Sequence, residues 1–387
     1  MGLVKVGVIG IGNMGSLHVQ MLNNRQIKGA VLTAVCSSNE DRIAWIKDNI
    51  NENVKIFKEE EDFFNESEID AVLIATPHYS HPELAKKALA KGKHVLIEKP
   101  AGVYTKNVLE MNAAAKASGK KFGIMYNQRA NPLYQKIRDL IQSGELGELK
   151  RMNWIITDIY RPQSYYDSSK WRATWNGEGG GVLLNQALHH IDVLQWTTGD
   201  MPKSIRTMSS SGKYHDIEVE DDVTAFLEYE NGSTGVIIAS TGEAPGTNRY
   251  EIVGDRGKIV VENEELVFYQ LTQSEREFNS SYKGGFGQPD FQRIEIPVKS
   301  DNANHAAIIQ NWIDAIVKSS PLLSPGEEGV KALEISNAIY LSSWLNETVV
   351  LPIDPDLFYG KLQEKINNST FVKKNVTNTT LDVSGTH

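Results

Sequence analysis

The sequence predicts an α/β protein with two domains: a doubly wound parallel sheet over residues 1–127 and an α+β domain with an antiparallel sheet over residues 128–366. Three observations support this prediction. The chain has 387 residues, which is long for one hydrophobic core. Short β-branched runs alternate with helical patterns in the first part, as in βαβ units. Strand patterns joined by tight turns dominate the second part, which indicates antiparallel pairing.

The strands of the first domain are predicted from apolar runs that suit a sheet covered by helices on both faces. These runs are Leu3–Ile9, Ala30–Cys36, Ala71–Ala75, His94–Ile97 and Lys121–Met125. Helical patterns lie between them, for example at Ser16–Asn23, Asn39–Asn49 and Pro82–Lys91. The order of these elements predicts a parallel sheet.

The second domain combines helices with a longer series of strands. Helices are expected at Pro132–Ser143, Val182–Trp196, Ala303–Val317 and Pro325–Leu345, and an aromatic, polar loop at Arg161–Trp175. Strands are expected at Leu149–Tyr160, Ser204–Ser210, Asp222–Glu230, Ser233–Ser240, Asn248–Val253, Gly257–Glu262 and Glu265–Leu271, with a loop at Ser281–Asp290. Residues 367–387 are rich in Asn, Thr and Ser, which predicts a mobile tail.

Composition argues against several classes of protein. The formal net charge is −9 and no basic run occurs, so binding to nucleic acid or to anionic membranes is not expected. The single cysteine, Cys36, rules out a disulfide within the chain. No apolar run approaches the roughly 20 residues that cross a bilayer, and no signal-peptide pattern is recognised at the start. We expect a cytoplasmic protein.

A G-x-G-x-x-G motif follows the first strand and precedes the first helix. Gly10 permits the tight turn, Gly12 lets the backbone approach a pyrophosphate, and Gly15 allows close packing of helix on strand. The free N–H groups at the start of the helix favour phosphate. This context predicts a dinucleotide site whose residues include Gly10, Gly12, Asn13, Met14 and Gly15, with a glycine-rich turn that binds no ligand as the alternative.

The end of the second strand bears on the choice between NAD and NADP. The usual acidic residue that binds the ribose hydroxyls is absent, and Ser37 and Ser38 stand there instead, with Arg42 one turn on. Serines do not repel a 2′-phosphate, and an arginine can pair with it. We expect NADP to be accepted alongside NAD, unless Arg42 is only a solvated helix residue.

Polar residues also follow the later strands of the first domain. Glu98 and Lys99 end the fourth predicted strand, where ligands of open α/β sheets bind. Such a lysine can donate a hydrogen bond to a reacting oxygen or relay its proton, although a surface salt bridge is the plainer interpretation. Thr76, Pro77 and His81 after the third strand and Asn127 after the fifth are further candidates for contact with the cofactor. A capping role around Ser80 is the alternative near His81.

The loop of the second domain concentrates aromatic rings and arginines. Tyr160, Arg161, Trp171 and Arg172 stand between a predicted strand and a predicted helix. Sugars present apolar C–H faces and polar edges, so this mixture of side chains suits a sugar. The alternative is a packed aromatic loop that closes the cleft. No metal site is expected, because His189 and His190 are adjacent on a helix and point apart.

Four motifs in this order resemble the Gfo/Idh/MocA oxidoreductase family over roughly residues 3–350: the glycine motif, Ala75-Thr76-Pro77…His81, Glu98-Lys99-Pro100, and Gly179-Gly180-Gly181…Asn185…His189-His190-Ile191-Asp192. The resemblance implies a Rossmann domain followed by a domain with a large, open, mostly antiparallel sheet. It also implies homo-oligomers, as dimers or tetramers, formed through that sheet. The substrates it implies are sugars, inositols, sugar nucleotides or glycosides. Lys99 is then catalytic, as are the aspartate and histidine of the later helix.

This sequence departs from the family pattern in that helix, where Asn185 replaces the frequent aspartate. On a helix, Asn185, His189 and Asp192 share one face, whereas His190 points about 100° away and is interpreted as structural. Asn185 can orient a hydroxyl but cannot titrate. We therefore expect His189 to be the better proton acceptor, with Asp192 orienting its ring or capping another element.

We expect an NAD(P)-dependent oxidoreductase that transfers a hydride between the nicotinamide and a ring secondary alcohol of a sugar, glycoside or sugar nucleotide. Analogy with relatives that carry asparagine favours C3. Lys99, Asn185 and His189 hold the hydroxyl, and His189 takes its proton with help from Lys99. Three alternatives stay open: an inositol dehydrogenase, a redox-neutral glycosidase that keeps its NAD, and a non-enzymatic sensor of dinucleotide. The presence of Lys99 argues against the sensor.

Overall fold

The first domain is a parallel sheet with helices on both faces, as predicted. The computed structural model describes residues 2–50, 53–298 and 304–377. The six strands, in the spatial order β3-β2-β1-β4-β5-β6, are β1 (Val4–Ile9), β2 (Ala30–Cys36), β3 (Lys55–Phe57), β4 (Ala71–Ile74), β5 (His94–Ile97) and β6 (Phe122–Ile124). The helices between them are α1 (Asn13–Asn23), α2 (Glu40–Asn49), α3 (Glu60–Glu66), α4 (His81–Ala90) and α5 (Thr105–Ser118). The order reverses between β1 and β4, which is where ligands of such folds bind.

The second domain contains a nine-stranded, mostly antiparallel sheet in the order β14-β13-β12-β11-β7-β10-β9-β8-β15. Its strands are β7 (Leu149–Ile156), β8 (Ser204–Ser211), β9 (Glu220–Glu228), β10 (Thr234–Ser240), β11 (Asn248–Gly254), β12 (Gly257–Glu262), β13 (Glu265–Leu271), β14 (Phe291–Ile296) and β15 (Val349–Val350). The helices are α6 (Pro132–Gln142), α7 (Gln163–Asp167), α8 (Leu188–Thr198), α9 (Glu275–Ser281), α10 (Asn304–Lys318), α11 (Gly329–Leu345) and α12 (Pro355–Asn367). Among the strands that the structure describes in this sheet, only β7 and β10 pair in parallel.

The two faces of the large sheet differ in their surroundings. Helix α11 packs on one face, where Ser342 Oγ accepts a hydrogen bond from the Thr207 backbone of β8 at 3.0 Å. The opposite face leaves large apolar side chains uncovered, with Met208 76% and Phe226 56% exposed. No helix in the described part of the chain is both long and apolar enough to cross a bilayer.

The predicted helix Val182–Trp196 was wrong at its start, because α8 begins only at Leu188. Residues 181–187 form turns instead. The buried carboxylate of Glu220 accepts hydrogen bonds from the backbone N–H groups of Gly181 and Leu183, at 2.9 Å from each. These contacts fix the backbone of the segment before a regular helical ladder can form. Asn185 therefore does not lie on one helical face with His189.

Helix α10 returns to the first domain, so the domains are not strictly consecutive in the chain. Its Ile308, Ile309 and Trp312 are buried in one cluster with Val6 and Val8 of β1. The predicted division at residues 127 and 128 does not anticipate this return. Ala303, where the helix was predicted to begin, lies outside the described residues.

The first half of the predicted mobile tail packs against the protein. The Lys373 ammonium donates hydrogen bonds to the carbonyl oxygens of Tyr166 and Ser169, both at 2.5 Å. Lys374 pairs with Asp216 at 3.2 Å. Residues 368–377 thus run along the loop that was predicted to bind substrate, and residues 378–387 lie outside the described part of the chain.

Candidate functional site

The glycine turn after β1 has the shape that a pyrophosphate needs. Gly10 has φ of 88°, and a Cβ there would lie 2.7 Å from the Ala75 backbone. A Cβ on Gly15 would lie 1.9 Å from the Gly10 carbonyl oxygen. A Cβ on Gly12 would meet none of the described residues within 4 Å, so the space in front of the α1 N-terminus is open. The turn therefore fits the diphosphate of a dinucleotide, with the N–H groups near Asn13 and Met14 directed to it.

The residues after β2 form a short polar surface at the start of α2. The Asn39 side chain caps the helix by accepting from the Arg42 N–H at 3.1 Å. Ser37 Oγ accepts from the Asn39 N–H at 3.3 Å, and Ser38 is exposed. Arg42 thus lies within one turn of both serines, as pairing of Arg42 with the 2′-phosphate of NADP requires.

His81 has a structural contact that the sequence did not indicate. Its ring is buried, and its two ring nitrogens lie 2.7 Å from the carbonyl oxygens of Thr76 and Pro100. Neither nitrogen is left for a cofactor, so His81 fixes the ends of two strands against each other rather than binding the dinucleotide directly. Thr76 Oγ1, next to Pro77, accepts from Ser80 Oγ at 2.7 Å.

Two buried groups beside the strand ends complete the cofactor side. Asn127 is 2% exposed, and its Oδ1 has no hydrogen-bond partner within the described ranges. The Glu98 carboxylate accepts from His18 Nε2 at 2.6 Å and from the Lys99 backbone N–H at 3.1 Å. Burial opposes the ionisation of Glu98, but His18 outweighs it and lowers the pKa of the carboxyl.

Lys99 meets Asn185 across the boundary between the domains. Lys99 Nζ donates to the backbone oxygen of Asn185 at 3.0 Å and to its side-chain Oδ1 at 3.1 Å. Burial lowers the pKa of Lys99 from 10.5 to about 8, although the nearby Glu98 raises it. A lysine with this pKa exchanges its proton near physiological pH, which suits general acid–base work.

A buried carboxylate stands behind Asn185. Asn185 Nδ2 donates to Glu178 Oε1 and, at 3.2 Å, to the Tyr165 hydroxyl. Arg172 donates to the same hydroxyl at 2.6 Å and lies 3.8 Å from Glu178. Burial raises the pKa of Glu178, while Arg172 acts in the opposite direction. The asparagine amide is therefore fixed in one orientation, with its oxygen toward Lys99.

His189 lies at the first turn of α8 without the partner that was predicted for it. Its Nδ1 is buried and has no hydrogen-bond partner among the described residues. Burial holds the pKa of His189 well below its ordinary value, and the positive charge of Lys99 adds to this. His189 is thus neutral at physiological pH, as a proton acceptor must be. The low pKa also makes it a weaker base than the sequence suggested.

Asp192 does not orient His189. Its carboxylate forms a two-pronged pair with Arg129, whose Nε and Nη2 donate at 2.8 and 2.7 Å. Arg129 also contacts Glu328 and is 0% exposed. His190 packs edge-on against Trp154 with the ring centroids 5.0 Å apart, in keeping with its structural interpretation.

The predicted substrate loop surrounds this centre in part. The Arg161 and Arg172 guanidinium carbons lie 5.3 and 4.4 Å from the centre of the Tyr165 ring. Trp171 packs edge-on against His78 at 5.3 Å, and Tyr160 is 47% exposed. The loop is thus packed through its own aromatic rings and arginines, and binding of a substrate by it stays a prediction.

Several residues of the centre were missed as site residues. Glu178, Tyr165, His78 and Gln186 all take part, since His78 Nδ1 lies 2.9 Å from the Glu178 carbonyl oxygen and Gln186 Nε2 donates to the Tyr165 hydroxyl at 3.1 Å. The only available signal for Glu178 was its position directly before the three glycines. Among the residues that the structure describes, no three His, Cys, Asp or Glu side chains converge as metal ligands would.

Comparison with known proteins agrees with this fold. The chain is 23% identical over 342 residues to the myo-inositol 2-dehydrogenase of Thermotoga maritima, covering 87% of this chain and 95% of that protein. The WlbA dehydrogenase of Chromobacterium violaceum, solved with NADH and UDP-GlcNAcA, superposes with a TM-score of 0.78 at 25% identity, over 92% of this chain and 97% of that one. The Bordetella pertussis WlbA dehydrogenase, with the same two ligands, has a TM-score of 0.77 at 23% identity over 91% and 100% of the chains.

Two sequence models of one family match the two domains. The model described as an oxidoreductase family with an NAD-binding Rossmann fold matches residues 4–126. The Gfo/Idh/MocA C-terminal domain matches residues 134–260. Together they span more than half of the chain, so this protein belongs to the Gfo/Idh/MocA family of NAD(P)-dependent oxidoreductases.

Proposed function

We propose that the protein oxidises a ring secondary alcohol of a sugar, glycoside or sugar nucleotide, with C3 of a glucose-like ring as the favoured position. The observation that supports this best is the contact between Lys99 and Asn185, 3.0 Å long, beside the end of the strand that faces the dinucleotide cradle. When bound, NAD(P) supplies the hydride acceptor at C4 of its nicotinamide. The residues of the chain hold the alcohol and move its proton.

Lys99 is better suited to accept that proton than His189. A neutral lysine amine has two N–H groups and one lone pair. The two oxygens of Asn185, at 3.0 and 3.1 Å from Nζ, accept both N–H groups. The lone pair then points away from Asn185, where it can take the proton of a substrate hydroxyl. A base works best with a pKa near the working pH, and the pKa of Lys99 is about 8.

His189 then serves as a hydrogen-bond partner of the reacting oxygen. It is neutral, because burial and Lys99 keep its pKa low. A neutral imidazole can accept from the hydroxyl or donate to the carbonyl that forms, depending on its tautomer. Lys99, Asn185 and His189 together orient the alcohol, and Lys99 exchanges the proton. This assignment differs from the expectation that His189 is the principal base.

The charges around the site favour a sugar nucleotide over a neutral sugar. Arg161 and Arg172 flank the Tyr165 ring, whose hydroxyl contacts Asn185. Arginines pair strongly with phosphate. An inositol is the second candidate, because the aligned myo-inositol 2-dehydrogenase spans 87% of this chain.

The choice of cofactor and the assembly extend the proposal. Ser37, Ser38 and Arg42 support acceptance of NADP as well as NAD, since no carboxylate ends β2 to repel a 2′-phosphate. The uncovered face of the large sheet, with exposed Met208 and Phe226, supports a homo-oligomer formed through that sheet.

The test is a spectrophotometric assay of nicotinamide reduction by the purified protein. NAD and NADP are each offered with inositols, free hexoses, glycosides and sugar nucleotides, and Lys99→Ala is the control. A substrate-dependent signal that Lys99→Ala abolishes supports the proposal, and the best substrate decides between sugar nucleotide and inositol. Release of a nitrophenol from an aryl glycoside without net reduction of NAD would overturn it in favour of the redox-neutral glycosidase.

A further inference from the structure

The Glu178 carboxylate belongs to neither the glycine motif nor the lysine motif of the sequence. It is 1% exposed and accepts hydrogen bonds from the Asn185 amide and from the Ala173 N–H at 2.6 Å. It does not touch Lys99 directly through any hydrogen bond between described residues. A buried carboxylate with this set of donors is costly to maintain, so its position calls for a function.

We propose that Glu178 is a positioning residue that orients the Asn185 amide and thereby aims the proton-exchanging group of Lys99 at the substrate. An amide can present either its oxygen or its nitrogen to a neighbour. A carboxylate accepts only, so it selects the Asn185 NH2 group and turns Oδ1 toward Lys99. The Tyr165 hydroxyl, 3.2 Å from Asn185 Nδ2, supports the same orientation.

The same geometry explains why an asparagine suits position 185 in this chain. A carboxylate there would lie within hydrogen-bond distance of Glu178. Two carboxylates so close cannot both ionise and would share a proton. In this chain the carboxylate belongs to Glu178, which does not contact Lys99 itself. The neutral amide of Asn185 lies between the Glu178 carboxylate and the Lys99 ammonium.

Charged groups around Lys99 and Glu178 affect the pKa values of both side chains. Glu98, Arg172, Glu178 and Arg161 act on the pKa of Lys99. Arg172 and Lys99 act on Glu178, and Lys373 of the carboxyl-terminal segment faces it. Among these, Glu178 raises the pKa of Lys99, so its loss should lower that pKa further.

The experiment exchanges the positions of the Glu178 carboxylate and the Asn185 amide. Three variants are made: Glu178→Gln, Asn185→Asp, and the double variant with both changes. The double variant keeps one carboxylate and one amide but exchanges their places. Glu220→Gln, alone and with Asn185→Asp, is the matched control, because Glu220 is a buried carboxylate that holds the backbone of Gly181 and Leu183 rather than the Asn185 amide.

The first readout does not depend on catalysis. The pH dependence of acetylation of Lys99 by acetic anhydride, followed by mass spectrometry of its peptide, reports its titration in each folded variant. The midpoint should fall in Glu178→Gln and rise above the wild-type value in the double variant, where a carboxylate contacts Lys99 directly. Identical midpoints in all folded variants would overturn the inference.

The second readout rests on the proposed function and uses the substrate found in the dehydrogenase assay. Glu178→Gln should lower kcat/KM by about 100-fold, the usual effect of misplacing a reacting group by about 1 Å. Adding Asn185→Asp should recover about 10-fold, whereas it should not rescue Glu220→Gln. If no alcohol is oxidised but the acetylation midpoints move in the stated order, the proposed function fails and the inference about Glu178 stands.

Discussion

Replacing Asp192 distinguishes between two roles of this residue, which are orienting the His189 ring and pairing with Arg129. The structure places Asp192 on Arg129, with contacts of 2.7 and 2.8 Å, and both side chains are buried. Removing one partner of a buried ion pair costs about 3–5 kcal/mol, because the other charge is left without compensation. Glu328 still contacts Arg129, so Asp192→Ala should lower the free energy of unfolding by about 3 kcal/mol, the lower end of that range.

The assay is chemical denaturation followed by fluorescence, with kcat measured on the folded fraction. Asp200→Ala, at an exposed position two residues after the end of α8, is the matched control and should have little effect. We expect Asp192→Ala to lose stability while each folded molecule keeps nearly all its kcat, since Asp192 does not contact His189. A variant as stable as the control but strongly impaired in kcat would refute this reasoning and restore Asp192 as the residue that orients His189.

Three further predictions concern Lys99, the cofactor and the assembly. The pKa of Lys99 is lowered on folding from 10.5 to about 8, so its burial destabilises the folded state in full below pH 8, and this destabilisation fades as the pH rises from 8 to 10.5. In denaturation measured across pH, Lys99→Met should therefore be more stable than wild type at neutral pH, by at most about 3 kcal/mol, and the gap should close above pH 10.5; a gap independent of pH would contradict this. Arg42→Glu should raise KM for NADP roughly 10-fold or more with little change for NAD, measured by steady-state kinetics, and equal effects on both would argue against a 2′-phosphate contact. Phe226→Asp should shift the mass in light scattering toward the monomer, whereas Leu109→Asp, an equally exposed change on the first domain, should not; an unchanged mass in Phe226→Asp would place the interface elsewhere.

The parts of the fold that depend on local pattern were predictable from the sequence. The predicted strands Ala30–Cys36, Gly257–Glu262 and Glu265–Leu271 match the observed bounds, since each is a β-branched or apolar run bounded by turns or polar residues. The short strand Lys55–Phe57 was missed, because three residues give no measurable alternation. The return of α10 to the first domain was also missed, since an amphipathic helix does not show which sheet it will cover.

The candidate site was predictable where a residue's role follows from its own strand or turn. Gly10 and Gly12 take the expected positions, because the turn needs a positive φ at Gly10 and open space at Gly12. Lys99 follows the end of β5. The family resemblance placed Lys99 and Asn185 on one substrate hydroxyl, but no local pattern predicted a direct contact between them, because they come from distant parts of the chain. Lys99 meets Asn185 across 86 positions. Such pairings depend on how the domains pack, which a single sequence does not encode in any local pattern.

The contact between Lys99 and Asn185 and the docking of the two domains both depend on residues at the domain boundary. Lys99 belongs to the first domain and Asn185 to the second, and their 3.0 Å contact exists only while the domains stay together. Arg129, which follows β6, spans the same boundary to reach Asp192 of α8. The buried ion pair therefore stabilises the docking of the domain that carries Asn185 against the domain that carries Lys99. Separation of the domains in denaturant should accordingly break the Arg129–Asp192 pair and the Lys99–Asn185 contact at the same denaturant concentration.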